Sequence, residues 1–250
     1  MNPTVNQSKT KNITPEISVV ILCYQEGKRL HSFVERTIKV LEDLRVEWEV
    51  ILVANYWEDK EDDTPQEAKK IAAQRSNIKV ITKIKKGGMG WDARNGFQET
   101  TGKFICLIDG DGQMPPEDIR SVYNKIKQEN YDLVMTYRTQ RGDSLLRKIN
   151  SYTYNSAFRI LFPGVKVRDA NSKPKIFTRE VFTKMNLTAD DWFLDAEILI
   201  QCIRMKLKIA EIPVTFDKCE DRKSYVQIEA AFEFVTNLLR ARLKEFFIKK

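Results

Sequence analysis

Short apolar runs alternate with amphipathic stretches through residues 17–137 of this chain. Ile17–Cys23, Trp48–Ala54, Ile78–Thr82 and Phe104–Asp109 are compact apolar runs and read as buried strands, with Asp132–Tyr137 as another. Between the first two, Leu30, Phe33, Val34, Thr37, Ile38 and Leu41 recur at helical spacing. Pro65 opens a helix that runs to about Arg75, and a short helix covers about Trp91–Thr100. Pro115-Pro116-Glu117-Asp118 starts the next one, with prolines and acids where a helix entry prefers them. This alternation predicts an α/β fold, a doubly wound, Rossmann-like, mainly parallel sheet flanked by helices.

The second half is less regular. Helical periodicity returns over Ser144–Phe162 and Asp191–Leu207, Lys208–Phe216 reads as a strand, and Tyr225–Ile248 as a long C-terminal amphipathic helix. That helix carries Val226, Ala230, Phe234, Leu238 and Phe246 on one side and Arg240, Arg242, Lys244, Lys249 and Lys250 at its basic end, a pattern that suits either packing on the domain or docking on a membrane surface. The expected organisation is a disordered leader (1–16), a main domain (17–224) and the terminal helix (225–250). Within the main domain, residues 17–138 form one half and 139–224 the other.

Composition narrows the class. The apolar fraction of 42% and charged fraction of 31% are those of a globular protein. No run approaches the roughly 18 apolar residues of a membrane span, and the polar start MNPTVNQSKTKNITPE lacks the apolar core of a secretory signal. Cys23, Cys106, Cys202 and Cys219 are scattered without zinc-site spacing, so a reduced, cytoplasmic location is expected. The net charge of +7 favours anionic partners. Nucleic acid is not among those expected, because no recognition motif or pattern of stacking aromatics accompanies the charge.

The candidate chemistry concentrates at predicted strand ends. Asp109-Gly110-Asp111-Gly112-Gln113 leaves a buried strand at the edge where open α/β sheets bind ligands. Asp109, Asp111 and the Gln113 amide form a hard-oxygen set suited to Mg²⁺ or Mn²⁺, and through it to a diphosphate. Tyr24 and Glu26 sit at the exit of the first strand, placed to meet a nucleotide by stacking and by a carboxylate. Lys85-Lys86-Gly87-Gly88-Met89-Gly90 is a basic glycine turn that would let backbone approach a phosphate, although it has neither Rossmann nor P-loop spacing. Asp195 and Glu197 lie in an otherwise apolar helix, where residues two apart diverge, so one is expected to approach a ligand while the other anchors nearby backbone. Asp195 is the candidate general base for a hydroxyl acceptor; a phosphate acceptor, already ionised, would leave it a positioning role. Arg138, at a strand end, and Arg147 and Arg222 are the candidate anion contacts, since guanidinium forks match phosphate oxygens. His31, the single histidine, falls within the first helix, away from these groups.

Taken in order, these segments resemble family 2 glycosyltransferases of the dolichol-phosphate mannosyltransferase type, over roughly residues 17–245. The carrying motifs are Val20-Ile21-Leu22-Cys23-Tyr24-Gln25-Glu26, Gly88-Met89-Gly90-Trp91-Asp92-Ala93-Arg94-Asn95-Gly96, Asp109-Gly110-Asp111-Gly112-Gln113 with Pro115-Pro116-Glu117, Asp191-Trp192-Phe193-Leu194-Asp195-Ala196-Glu197, and Glu211-Ile212-Pro213-Val214 with Arg222 and Ser224. The resemblance implies a glycosyltransferase A-type fold and an inverting, metal-dependent transfer of a hexosyl group from a GDP- or UDP-linked sugar. The preferred acceptor is a polyprenyl or dolichyl phosphate, met at a peripheral membrane surface. It implies donor contacts from Tyr24, Glu26, Asn55, Gly88, Arg94 and Gly110, and metal contacts from Asp109, Asp111 and Gln113. Asp195 would face the sugar, and Arg138, Arg147, Ser172, Arg222 and Ser224 the acceptor phosphate. Several positions depart from the pattern: Leu22 and Gln25 in the first motif, Ala54-Asn55 where a pair of aspartates usually ends the second strand, Arg222 one residue closer to Ser224 than expected, and Lys173 where a small residue usually follows Ser172. The Ala54-Asn55 departure leaves open a catalytically silent nucleotide-sugar or membrane-binding module. A nucleotidyltransferase is the weaker alternative, because the long basic glycine loop of such enzymes is missing.

Overall fold

The computed structural model describes residues 14–141, 145–163, 167–216 and 236–243. Seven strands form one sheet in the order β3-β2-β1-β4-β6-β5-β7. The parallel half is β1 (Ile17–Leu22), β2 (Trp48–Val53), β3 (Ile78–Ile81) and β4 (Phe104–Asp109). These are the apolar runs expected from the sequence, within about a residue. Helices α1 (Arg29–Asp43), α2 (Thr64–Ala72) and α3 (Met89–Gln98) connect them.

Alternation along each strand supplies two cores, one on each face of the sheet. Val20, Ile105 and Leu107 point to one, shared with α3 and with α7 (Leu194–Arg204). Val19, Ile21, Cys106 and Ile108 point to the other, under α1, α2 and α4 (Asp118–Glu129). On α1 the six periodic residues named from sequence are all buried, with Val40 beside them.

Several boundaries differ from expectation for identifiable reasons. α4 begins at Asp118, and the preceding prolines form a turn in which the Asp118 N–H donates to the Pro115 carbonyl at 3.1 Å. α7 begins at Leu194, because the Asp191 carboxylate holds the Phe193 N–H in a side-chain turn at 2.8 Å. α3 begins two residues before Trp91, at Met89. β5 (Leu133–Arg141) runs past Tyr137 and pairs in parallel with β7 (Ile209–Phe216). α5 (Leu145–Leu161) matches the first helix of the second half.

The sequence reading missed β6 (Lys175–Thr178) and α6 (Arg179–Lys184). β6 inserts antiparallel between β4 and β5, so the sheet is mainly rather than wholly parallel. Of the expected C-terminal helix, residues 236–243 are helical, with Leu238 buried; the remainder of 225–250 and most of the leader lie outside the described residues.

Candidate functional site

β1 and β4 run side by side in parallel, with Leu22 opposite both Val53 of β2 and Asp109 of β4. Their C-terminal ends therefore coincide, and the loops that follow leave along one edge. The Gly110 N–H donates to the Leu22 carbonyl at 2.9 Å, and a Cβ on Gly110 would lie 3.0 Å from Ile21 Cγ2. Gly110 thus serves close packing of the turn on β1. Gly112 supplies the left-handed conformation (φ +73°) that turns the chain, and Asp111 Oδ1 accepts from the Gln113 N–H at 3.0 Å. The turn leaves Asp109 about one-quarter exposed (26%) and Asp111 half-buried.

Behind Asp109 lies a buried ionic chain. Lys173 Nζ donates to Asp109 Oδ2 at 3.2 Å and to Asp195 Oδ2 at 3.1 Å. Lys175 Nζ takes the other oxygen of Asp195 and also donates to the Ala170 carbonyl at 2.6 Å. Asp195 is 1% exposed, Lys173 2% and Lys175 0%. Burial opposes charge on Lys173, but Asp109 and Asp195 outweigh it and hold the amine above the ordinary lysine range. For Lys175 burial wins over the pull of Asp195, and the amine is pushed below that range. Sequence reasoning recorded Lys173 only as a departure and did not single out Lys175. The available signal was the pair of lysines two apart beside an apolar strand, a spacing that directs both to one face.

Glu197, two residues along α7, turns the other way. Its carboxylate accepts from the N–H groups of Thr188 and Ala189 and from the Thr188 hydroxyl. The segment it holds, 188–191, fills the space in front of the glycine turn. A Cβ on Gly90 would meet the Ala189 and Asp191 carbonyl oxygens at 2.6 Å each, and one on Gly88 would meet the Asp190 carbonyl at 3.1 Å. Arg94 donates to the Thr188 carbonyl at 2.9 Å and pairs with the Asp190 carboxylate. Gly88 and Arg94 were expected at the donor; in the structure the glycines admit a neighbouring peptide, and the arginine docks it.

Asn55 also turns inward. It is 1% exposed; its Nδ2 donates to Asp92 Oδ1 at 2.8 Å, and its Oδ1 accepts from the Lys83 N–H at 2.8 Å. Asp92 also pairs with Lys85, and burial raises its carboxyl despite that partner. Lys85 Nζ in turn lies 5.1 Å from the centre of the Tyr24 ring and 5.9 Å from that of Trp57. Asn55, expected at the nucleotide, is held in this junction, while Tyr24 and Trp57 stand just past the ends of β1 and β2. The Glu26 N–H donates to Thr64 Oγ1 at 2.8 Å, and the Glu26 carboxylate lies 3.6 Å from Arg29.

In the acceptor half, Arg138 forms a fork with both oxygens of Asp169 at 2.6 and 2.9 Å. Ser172 is fully buried, with its hydroxyl 2.7 Å from that of Thr136. Both expected phosphate contacts are therefore engaged within the protein. Arg147 lies near the start of α5, and Arg222 and Ser224 lie outside the described residues. His31 pairs with Glu67, between α1 and α2.

Residues 18–194 match the model of glycosyl transferase family 2. The chain belongs to this family. It is accordingly an enzyme of the transferase class. Among its curated relatives is a dolichyl-phosphate beta-glucosyltransferase of Trichomonas vaginalis, 27% identical over 242 residues that cover 90% of this chain and 72% of the relative. An undecaprenyl-phosphate 4-deoxy-4-formamido-L-arabinose transferase of Pectobacterium carotovorum is 31% identical over 169 residues, 68% of this chain and 50% of that protein. The fold is shared with glucosyl-3-phosphoglycerate synthase of Mycobacterium tuberculosis, crystallised with Mn²⁺, UDP and phosphoglyceric acid. That likeness has a TM-score of 0.70 at 18% identity and covers 91% of this chain and 78% of the other. The family 2 fold is thus the glycosyltransferase A-type expected from the motifs.

The strand-end acids suit a divalent metal. Among the described residues no three acidic, histidine or cysteine side chains gather into a complete cage. Mg²⁺ and similar ions are held by one or two carboxylates together with substrate phosphates, which Asp109 and Asp111 at an open sheet edge match in number and chemistry.

Proposed function

We propose that the chain is an inverting, metal-dependent glycosyltransferase that moves a hexosyl group from a nucleoside-diphosphate sugar to a polyprenyl phosphate. The observation that carries the choice of acceptor is the state of Asp195. Each of its oxygens faces a lysine ammonium, and the side chain is buried. A carboxylate so engaged is poorly placed to take a proton from a hydroxyl, which requires hydrogen-bond reach to the substrate. An acceptor that arrives as a phosphate brings an ionised nucleophilic oxygen and needs no such base. The two curated relatives described above, both named as polyprenyl-phosphate sugar transferases, support the same choice.

In this reading Asp109 and Asp111 hold the divalent ion, Mg²⁺ or Mn²⁺, with Gln113 beside them. When bound, the metal offsets negative charge developing on the leaving diphosphate. The protein's own contribution is alignment and fixed charge. Tyr24 and Trp57 offer stacking faces to the nucleoside, Asp195 and its lysines hold the floor of the sugar site, and Arg147, Arg222 and Ser224 are assigned to the acceptor phosphate. Tyr152, Ile160, Leu239 and Leu243 are exposed apolar residues that suit contact with a lipid surface. No helix among the described residues is long and apolar enough to cross a membrane; the reading is of a protein working from the membrane face.

The test is a transfer assay with GDP- and UDP-linked hexoses and Mn²⁺, comparing a polyprenyl phosphate with the corresponding polyprenol. Transfer to the phosphate alone is expected. Comparable transfer to the alcohol would overturn the acceptor assignment, and absence of turnover with either, despite nucleotide binding, would favour a silent nucleotide-sugar-binding module.

A further inference from the structure

We infer that Lys173 is a positioning residue whose buried ammonium, bridging Asp109 and Asp195, weakens the donor-free site for a divalent ion, so that metal enters with the nucleoside diphosphate rather than ahead of it. The inference rests on the proposed metal role of Asp109 and Asp111.

Three observations converge on it. Lys173 Nζ lies within hydrogen-bond distance of both carboxylates, 3.2 Å from Asp109 and 3.1 Å from Asp195. The lysine is almost wholly buried, so its charge is poorly screened by solvent and acts directly on Asp109. Its backbone is also held, since the Lys173 N–H donates to Met114 Sδ at 3.1 Å, just beyond the acidic turn. A cation fixed one carboxylate away from the metal position has two effects. It occupies one oxygen of Asp109, and it opposes a second positive charge. Asp109, Asp111 and Asp195 with Lys173 and Lys175 leave a single net negative charge, which is little attraction for a dication. A diphosphate arriving with its metal brings the missing negative charge and oxygen ligands.

Asp195 does not need Lys173 for neutrality, because Lys175 already pairs with it. The bridge to Asp109 is therefore the distinctive consequence of a lysine at position 173, where the family pattern has a small residue.

The experiment measures Mn²⁺ binding by calorimetry and by electron paramagnetic resonance, on the full chain, without nucleotide and with saturating UDP or GDP. It compares wild type with Lys173→Met, Lys173→Gln and Asp111→Asn. Lys173→Gln keeps hydrogen-bond donors and remains available if the methionine variant does not fold. The expected result is that removal of the Lys173 charge tightens Mn²⁺ binding to the nucleotide-free protein by about tenfold or more, with a smaller change when nucleotide is present. Disruption of a site weakens binding, so tightening separates electrostatic positioning from a merely structural role. Unchanged or weaker nucleotide-free binding in the folded variants, with Asp111→Asn still abolishing the metal complex, would overturn this inference and leave the metal site standing. Binding untouched by Asp111→Asn would remove the metal site itself, and this inference with it.

Discussion

Asp195→Asn separates the two roles an acid in this place could have, namely taking a proton and holding two lysines. The substitution preserves shape and removes one charge. Lys173 retains Asp109 at 3.2 Å, but Lys175, fully buried, loses its paired carboxylate and is left with the Ala170 carbonyl and a neutral amide oxygen. Removing one member of a buried ion pair costs about 3–5 kcal/mol, because the remaining charge is left without compensation. The retained partners place the expected loss near the lower end, about 3 kcal/mol at pH 7. The loss should depend on pH with a definite sign. Lys175 already titrates below the ordinary lysine range in the folded protein, and loss of Asp195 lowers it further. Between that folded value and the unfolded value the unfolded chain binds more protons, so stability of the variant rises with pH. The deficit against wild type is therefore largest below the variant's folded Lys175 value and is relieved as pH climbs to the wild-type folded value, which itself lies below the ordinary lysine range. Urea unfolding of both proteins from pH 6 to 10 measures this directly. A variant within about 0.5 kcal/mol of wild type at pH 7, or a deficit that grows with pH, would refute the ionic-chain argument.

Asp109→Ala should abolish metal-dependent donor turnover while circular dichroism and cooperative unfolding persist; wild-type-like turnover would remove Asp109 from the metal role. Gly90→Ala places a Cβ 2.6 Å from two backbone carbonyl oxygens, so it should cost about 1–3 kcal/mol and loosen the 188–191 segment, read by unfolding and by proteolysis there. At the opposite edge of the sheet, burial works against the Glu49 charge, but bonds from Ser18, Lys79 and Thr101 prevail and hold its carboxyl below the usual range. Its stabilisation is present above the unfolded value near 4.3 and is lost as pH falls through the folded value, so Glu49→Gln should flatten the acid limb of a melting-temperature profile measured from pH 6 to 2.

The parts of the fold that were legible in the sequence are those whose burial requires apolar character on both faces. β1, β2 and β4 are continuous apolar runs because parallel central strands are covered on both sides. β6 escaped because it has only four residues and starts with a lysine that is wholly buried, against the usual rule for charge. The sheet edge that carries the site followed from strand order alone, since Asp109 ends β4. Side-chain partners did not follow. Arg138 was expected to end its strand as an anion contact, but β5 runs on to Arg141 and Asp169 meets the guanidinium from a distant part of the chain. Ser172 faces Thr136, and Asn55 faces Asp92, for the same reason: spacing along a chain says which edge a residue reaches, and tertiary packing decides what waits there.

The departures at Asn55 and Lys173 acquire a common physical meaning from this packing. One sheet edge gathers Asp92, Asp109, Asp111 and Asp195, and buried carboxylates without partners are costly. Asp92 is met by Lys85 and by the amide of Asn55; Asp195 is met by Lys175 and Lys173. The inner acids are thus neutralised by the chain's own donors, while Asp109 and Asp111 at the turn keep some access to solvent. An aspartate in place of Asn55 would set a second carboxylate against Asp92, and a small residue in place of Lys173 would leave Asp109 without its internal cation. Each departure therefore lowers negative charge at the edge where a nucleoside diphosphate is proposed to bind, which favours an anionic donor that brings its own metal.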